Sequence, residues 1–165
     1  MFRGMCVLAA GAALACAPAH AASDADRARM ALLPLDVAWD DAQRSVHCLT
    51  AAIYYEAGNE PLEGQRAVAQ VIFNRVAHAA YPDSVCDVVF QGASRRTGCQ
   101  FTFTCDGSLL RQPSEARWRV AETVATEAIR AGLPDVVGTA THYHAYYVNP
   151  YWSQSLTRLA RIGAH

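Results

Sequence analysis

The stretch Tyr54-Tyr55-Glu56-Ala57-Gly58-Asn59-Glu60-Pro61-Leu62-Glu63-Gly64-Gln65 brings Glu56, Glu60 and Glu63 close together. Helical spacing puts Glu56 on one face with Ile53, Ala52 and Leu49, so its carboxyl is expected to point inward. Burial strips its hydration, and the last turn of a helix is the negative end of the macrodipole. Both effects favour the protonated acid. Glu60 and Glu63 stand instead at the start of the next helix, where free N–H groups and the positive dipole end favour the anion. Carboxyls pushed apart in this way suit the cutting of a glycosidic bond. Each has a plainer alternative. Glu56 would pair with an arginine such as Arg75, Glu63 would close a capping box, and Glu60 is divided between capping and function.

His142 and His144 lie two apart on an expected strand and share a face with Tyr146. Lining a cleft, they would contact sugar. Binding a metal, they would need a third ligand such as Glu56 or His47. Otherwise they simply pack on a half-exposed sheet. Tyr143, Tyr147, Tyr151 and Trp152 crowd the same region. Aromatic faces stack on sugar rings, and they also build cores. No metal and no cofactor is expected. The chain has no lysine, which excludes a lysine nucleophile or Schiff base.

These side chains need helices to position them. From Asp41 the apolar pattern is helical and stops at Gly58. Pro61 suits the first position of a second helix, whose stripe is Ala67, Val68, Val71, Ile72 and Val76. A short third helix is expected over 83–90 with Asp83 as its cap. Residues 91–112 read as irregular, with room for a hairpin. A fourth helix over 115–131 has Ser114 as cap and Gly132 as stop. Residues 141–148 then read as a strand ending at the Asn149-Pro150 turn, and 156–163 as a weaker one. The expected class is α+β, helices first and a small β portion after.

The N-terminus sets the compartment. Arg3, a small and apolar run over 5–17, and Ala19-His20-Ala21 make a secretory signal peptide over 1–21. The run is too short for a membrane span, so no stable membrane anchor is expected. A lipoprotein anchored through Cys16 is a weaker alternative, because the aliphatic usual before such a cysteine is missing. Residues 22–40 read as a flexible leader and 41–165 as one catalytic domain. Without Arg3 the mature chain has 13 arginines against 15 acidic residues, a formal charge of −2. That gives no basic face for nucleic acid. No surplus apolar stripe calls for a partner, so a monomer is expected. Cys48, Cys86, Cys99 and Cys105 remain after cleavage, an even count that reads as two disulfides in an oxidising compartment. Three pairings exist. The short loop between Cys99 and Cys105 favours that bridge, and with it Cys48–Cys86.

The pattern Glu56-Ala57-x-x-Glu60-x-x-x-Gly64-Gln65-x-Ala67-Val68-Ala69-x-Val71-Ile72-x-Asn74-Arg75 resembles the signature of the SleB-type cell-wall hydrolases, the spore-cortex-lytic enzymes and their relatives. Cys99-Gln100-Phe101-Thr102, His142-Tyr143-His144, Pro150-x-Trp152 and Ile162-Gly163-x-His165 are similar to later pieces of the same pattern, so the resemblance covers about 48–165. It implies a lysozyme-like architecture, with a helical lobe and a small β lobe flanking a cleft. It also implies that Glu56 is the catalytic acid and base at the MurNAc–GlcNAc bond of peptidoglycan. In a lytic transglycosylase the nucleophile is the sugar's own C6 hydroxyl, so one protein carboxylate suffices. Glu60, Gln100, Phe101, Thr102, His142, Tyr143, His144 and Trp152 would then contact the glycan, while Asn74 and Arg75 brace the helix pair. A periplasmic or secreted location follows. The sequence stops at His165, where the family pattern continues through an aromatic-rich strand, so a shortened β lobe is expected. It shows no added peptidoglycan-binding domain.

Three other readings compete. A two-carboxylate muramidase would use Glu56 with Glu60 and leave a reducing end. A cysteine amidase or peptidase would use Cys48 or Cys99 with His142, and needs a free thiol. A wall-binding domain would keep the fold without cleavage.

Overall fold

The computed structural model describes residues 41–95 and 97–165. The signal peptide and leader expected over 1–40 lie outside these. Among the described residues four α-helices form: α1 (Asp41–Ala57), α2 (Leu62–Val76), the short α3 (Val85–Val89) and α4 (Glu115–Ala131). Their positions follow the apolar periodicity of the sequence.

The first helix is more deeply placed than its stripe suggested. Cys48, Leu49, Thr50, Ala51, Ala52 and Ile53 are consecutive and all buried. A helix covered on every side is central, not peripheral. Val68, Ala69 and Ile72 of α2, Val88 and Val89 of α3, and Ala121, Val124, Ala125 and Ala128 of α4 close around it. Ala51, Ala52, Ala121 and Ala125 have no exposed surface, and such small side chains let helices approach closely. Thr50, the polar member of the run, donates its hydroxyl back to the Val46 carbonyl at 2.7 Å. Cys48–Cys86 ties α1 to α3, and Cys99–Cys105 closes the short loop.

Helix ends correct several local expectations. Gly58 does stop α1, because a Cβ there would lie 2.4 Å from the Tyr54 carbonyl oxygen. Pro61 is the N-cap of α2 and not its first residue, and Glu63 makes no capping bond. Ser84, not Asp83, caps α3 by accepting from the Asp87 N–H. Ser114 stands at the cap of α4 without a side-chain cap bond, while its own N–H donates to the Tyr54 hydroxyl at 2.8 Å. Gly132 ends α4 at φ 80°.

The β portion is the main departure. Among the described residues no strand forms. Instead of a hairpin, 91–112 contains 3₁₀ turns at Thr102–Thr104 and Ser108–Leu110, and another lies at Tyr151–Ser155. Residues 135–165 run as extended pieces and turns across α2. The physical reason is where their backbone bonds go. Gln70 accepts from the Val136 and Val137 N–H groups and donates to Gly138 O at 2.9 Å. Asn74 donates to Gly138 O and Ala140 O, each at 2.8 Å, and Arg75 Nε donates to Thr141 O at 2.7 Å. Side chains of a helix therefore take the place of a neighbouring strand. Among the described residues the Tyr146 N–H alone makes a backbone bond from the 141–148 segment to the closing segment, at Ala164 O (2.8 Å), and one rung makes no ladder. Asn74 and Arg75 thus hold the C-terminal segment, in place of the helix-pair brace expected of them.

Candidate active site

The last turn of α1 carries Tyr54, Tyr55 and Glu56 out of the core. Tyr55 stacks on Phe103 with centroids 4.7 Å apart, and its hydroxyl donates to Ser108 O at 3.2 Å. Tyr54 packs edge-on against Tyr55 and tilts against Trp118. These aromatics fix the end of the helix, and so the direction of the glutamate.

Glu56 is half-buried, and the Tyr143 hydroxyl donates to its Oε2 at 2.9 Å. Its Oε1 has no hydrogen-bond partner among the described residues. Burial pushes the Glu56 carboxyl above its ordinary value. The Tyr143 bond, His165 and Arg75 oppose that rise, while Asp106 adds to it. Arg75 makes no ion pair with Glu56. The result is a carboxyl with one oxygen held and one open, whose protonated form is favoured more than in water. Tyr143→Phe removes the held oxygen's donor, so the glycan cleavage that the sequence resemblance implies should fall roughly tenfold, on the order of 1.5 kcal/mol. Initial rates on purified peptidoglycan check this, and an unchanged rate would make the bond incidental.

The other expected residues are divided. Glu60 Oε2 accepts from the Ala164 N–H at 3.0 Å, so this carboxylate pins the C-terminal segment. A Cβ on Gly163 (φ 56°) would stand 1.8 Å from that oxygen, which makes glycine necessary there. Trp152 lies against both histidine rings, 5.2 Å from His142 and 5.6 Å from His144. The two histidines do share a side, as extended backbone requires, although no sheet supports them. Burial, and after it Arg75, holds the His142 ring below its usual range. Among the described residues no three His, Cys, Asp or Glu gather to hold a metal. His47 is instead tilted against Trp118 at 5.6 Å.

Of the Gln100-Phe101-Thr102 trio, Phe101 is only 2% exposed and faces Phe103 and Arg75. It shapes the wall from behind and has no face free for a sugar. Thr102 is exposed, and the Gln100 backbone N–H donates to Gln91 O. The cysteine amidase reading loses its nucleophile, since Cys48 and Cys99 are both bridged.

Two residues were missed. Asp106 follows the bridged Cys105, accepts from the Ser108 N–H at 2.8 Å, and is held below the usual carboxylate range by that residue. Gln70 makes most of the bonds that seat 136–138. A Cys-Asp-Gly loop was a visible signal for Asp106, whereas a glutamine on a helix face gives none.

A cavity of about 400 Å³ lies between α2 and the C-terminal segment, lined by Val68, Val71, His142, His144, Trp152 and Arg161 among others. Tyr143 and His165 also line it and Glu56 does not, so Tyr143 stands between the cavity and the carboxyl.

Comparison with known proteins bears on this arrangement. The chain is 32% identical over 129 residues to the spore cortex-lytic enzyme of Bacillus subtilis (strain 168), covering 75% of this chain and 37% of that protein. It is 33% identical to the spore cortex-lytic enzyme of Oceanobacillus iheyensis, covering 75% and 41%. The chain thus spans about two fifths of the length of these relatives. The crystal structure of the catalytic domain of the Bacillus cereus SleB protein matches with a TM-score of 0.59 and 29% identity, over 81% of this chain and 92% of that one. The catalytic domain of the germination-specific lytic transglycosylase SleB from Bacillus anthracis matches with a TM-score of 0.57 and 28% identity, over 80% and 96%. The cell wall hydrolase profile matches residues 59–165, starting three residues beyond Glu56. With α2, α3, α4, the loop after Cys99 and the closing segment all within residues 59–165, the chain belongs to the cell wall hydrolase family of enzymes.

Proposed function

We propose that this protein cuts peptidoglycan glycan strands at the MurNAc–GlcNAc β-1,4 bond as a lytic transglycosylase, with Glu56 as its one general acid and base. The observation that carries the reading is the half-buried Glu56 carboxyl, bonded to Tyr143 on one oxygen and, among the described residues, without a hydrogen-bond partner on the other. In this mechanism Glu56 gives its proton to the glycosidic oxygen as the C1–O bond breaks. It then takes the proton of the MurNAc C6 hydroxyl as O6 bonds to C1, and no water is consumed. The glutamate ends protonated, ready for the next bond. The Bacillus anthracis neighbour is described as a lytic transglycosylase, which supports the same product here.

His142, His144 and Trp152 form an aromatic ledge suited to stacking a sugar ring, with Thr102 and Gln100 on the loop side. Glu60 acts on this surface through the segment it pins. A peptidoglycan substrate calls for a periplasmic or secreted location, which the signal peptide expected over 1–21 would provide. Among the described residues no helix is long and apolar enough to cross a membrane.

One observation favours a second reading. Asp106 is held below the usual carboxylate range by Ser108 and its charge reaches Glu56, so a hydrolytic enzyme would use Asp106, and not Glu60, to activate water. Mass spectrometry of the fragment ends separates the two. Purified peptidoglycan digested by the full chain should yield 1,6-anhydromuramoyl ends. Reducing ends would replace the mechanism with two-carboxylate hydrolysis. Glycan binding without cleavage by folded protein would leave a wall-binding domain.

A further inference from the structure

Arg75 is 4% exposed, and its guanidinium carbon lies 5.5 Å from the ring centres of both Tyr81 and Phe101. Its Nε donates to Thr141 O, while Nη1 is buried without a hydrogen-bond partner. A buried cation is costly unless an opposite charge answers it. Among the described residues no carboxylate forms an ion pair with it; Tyr143 and Tyr81 are the first groups that support its charge, and the carboxyl that reaches it after them is Glu56. Anchoring alone does not explain the residue. Asn74, its neighbour, holds Gly138 and Ala140 through a neutral amide. A charge at 75 is therefore more than the seating of this segment demands.

We propose that Arg75 is the positioning residue of Glu56, its charge steadying the glutamate anion and its Nε seating the 141–143 segment that brings Tyr143 to the carboxyl. The inference rests on the lytic transglycosylase reading for its timing. The anion exists between the loss of a proton to the glycosidic oxygen and the gain of one from the C6 hydroxyl. Tyr143 and His165 face Glu56 from the C-terminal segment, Arg75 from α2, and Asp106 from the loop after Cys105. Tyr143, then His165, then Arg75 favour the anion, and Asp106 opposes them.

The test follows the Glu56 carboxyl directly, by ¹³C NMR of the full chain labelled at glutamate, with the signal assigned by its loss in Glu56→Gln. Arg75→Gln should raise the Glu56 midpoint by roughly one pH unit, and move the alkaline limb of the cleavage profile the same way. It should lower kcat with little change in KM, because the anion forms only after the substrate is bound. Arg75→Lys keeps the charge and should titrate near the wild type. An unmoved midpoint in Arg75→Gln, or a lysine variant that shifts like glutamine, would overturn the proposal. Should the glutamine variant fail to fold, Arg75→Met, which also removes the charge and keeps an apolar stem, takes its place, with a raised midpoint upholding the role of charge and an unmoved one refuting it. The NMR titration needs no activity, so a wild type that cuts no glycan would refute the lytic reading separately.

Discussion

Glu56→Gln should lower the release of glycan fragments from purified peptidoglycan by roughly a thousandfold, the usual scale for losing a general acid. Glutamine keeps the shape of the side chain and an oxygen to accept the Tyr143 hydroxyl, so the loss would be chemical and not architectural. The same variant carries a second, opposite expectation. The Glu56 carboxyl is raised from an ordinary value of 4.5, with burial as the first cause. A raised carboxyl contributes its stability in full below the unfolded value, and loses it as pH rises through the folded one. Wild-type protein must therefore bury a disfavoured anion at alkaline pH, and the glutamine variant does not. Urea unfolding at pH 4 and at pH 8 should show the variant gaining on the wild type between the two. Cleavage that survives the substitution would remove Glu56 from the chemistry. A stability difference that does not change with pH would remove burial as the cause of its raised pKa.

The bridge between α1 and α3 carries the largest expected effect on stability. Cys48 and Cys86 are both 3% exposed and are separated by 38 residues. Closing a loop of that length restricts the unfolded chain by about 4 kcal/mol. That is a large share of the roughly 5–15 kcal/mol by which domains are stable. The double variant Cys48→Ala, Cys86→Ala should lose about that much in urea unfolding, compared with the oxidised wild type. A loss under about 1 kcal/mol would mean that the core alone holds α3 in place. Activity at low temperature should persist, because neither cysteine touches Glu56.

The helices and their apolar faces were legible because a period of 3.6 is a local property. Leu49, Ile53, Val68 and Ile72 announced the core, Gly58 and Gly132 announced helix ends, and the inward aim of Glu56 followed from the same periodicity. The short Cys99–Cys105 loop pointed to both disulfides, one directly and one by remainder. Tertiary structure decided what local patterns could not. The 141–148 segment has the composition of a strand, yet strands exist only through a partner, and here Gln70, Asn74 and Arg75 took that place. Glu60 read as a cap or a second catalytic group, and became the acceptor for an N–H 104 residues away. Tyr143, 87 residues from Glu56, became the donor to its carboxyl. Phe101 turned from an expected sugar contact into core. By itself the sequence determined which residues bury themselves and which carry charge. Only the folded chain decided which polar groups meet, because hydrogen bonds act over about 3 Å and depend on every turn between the partners.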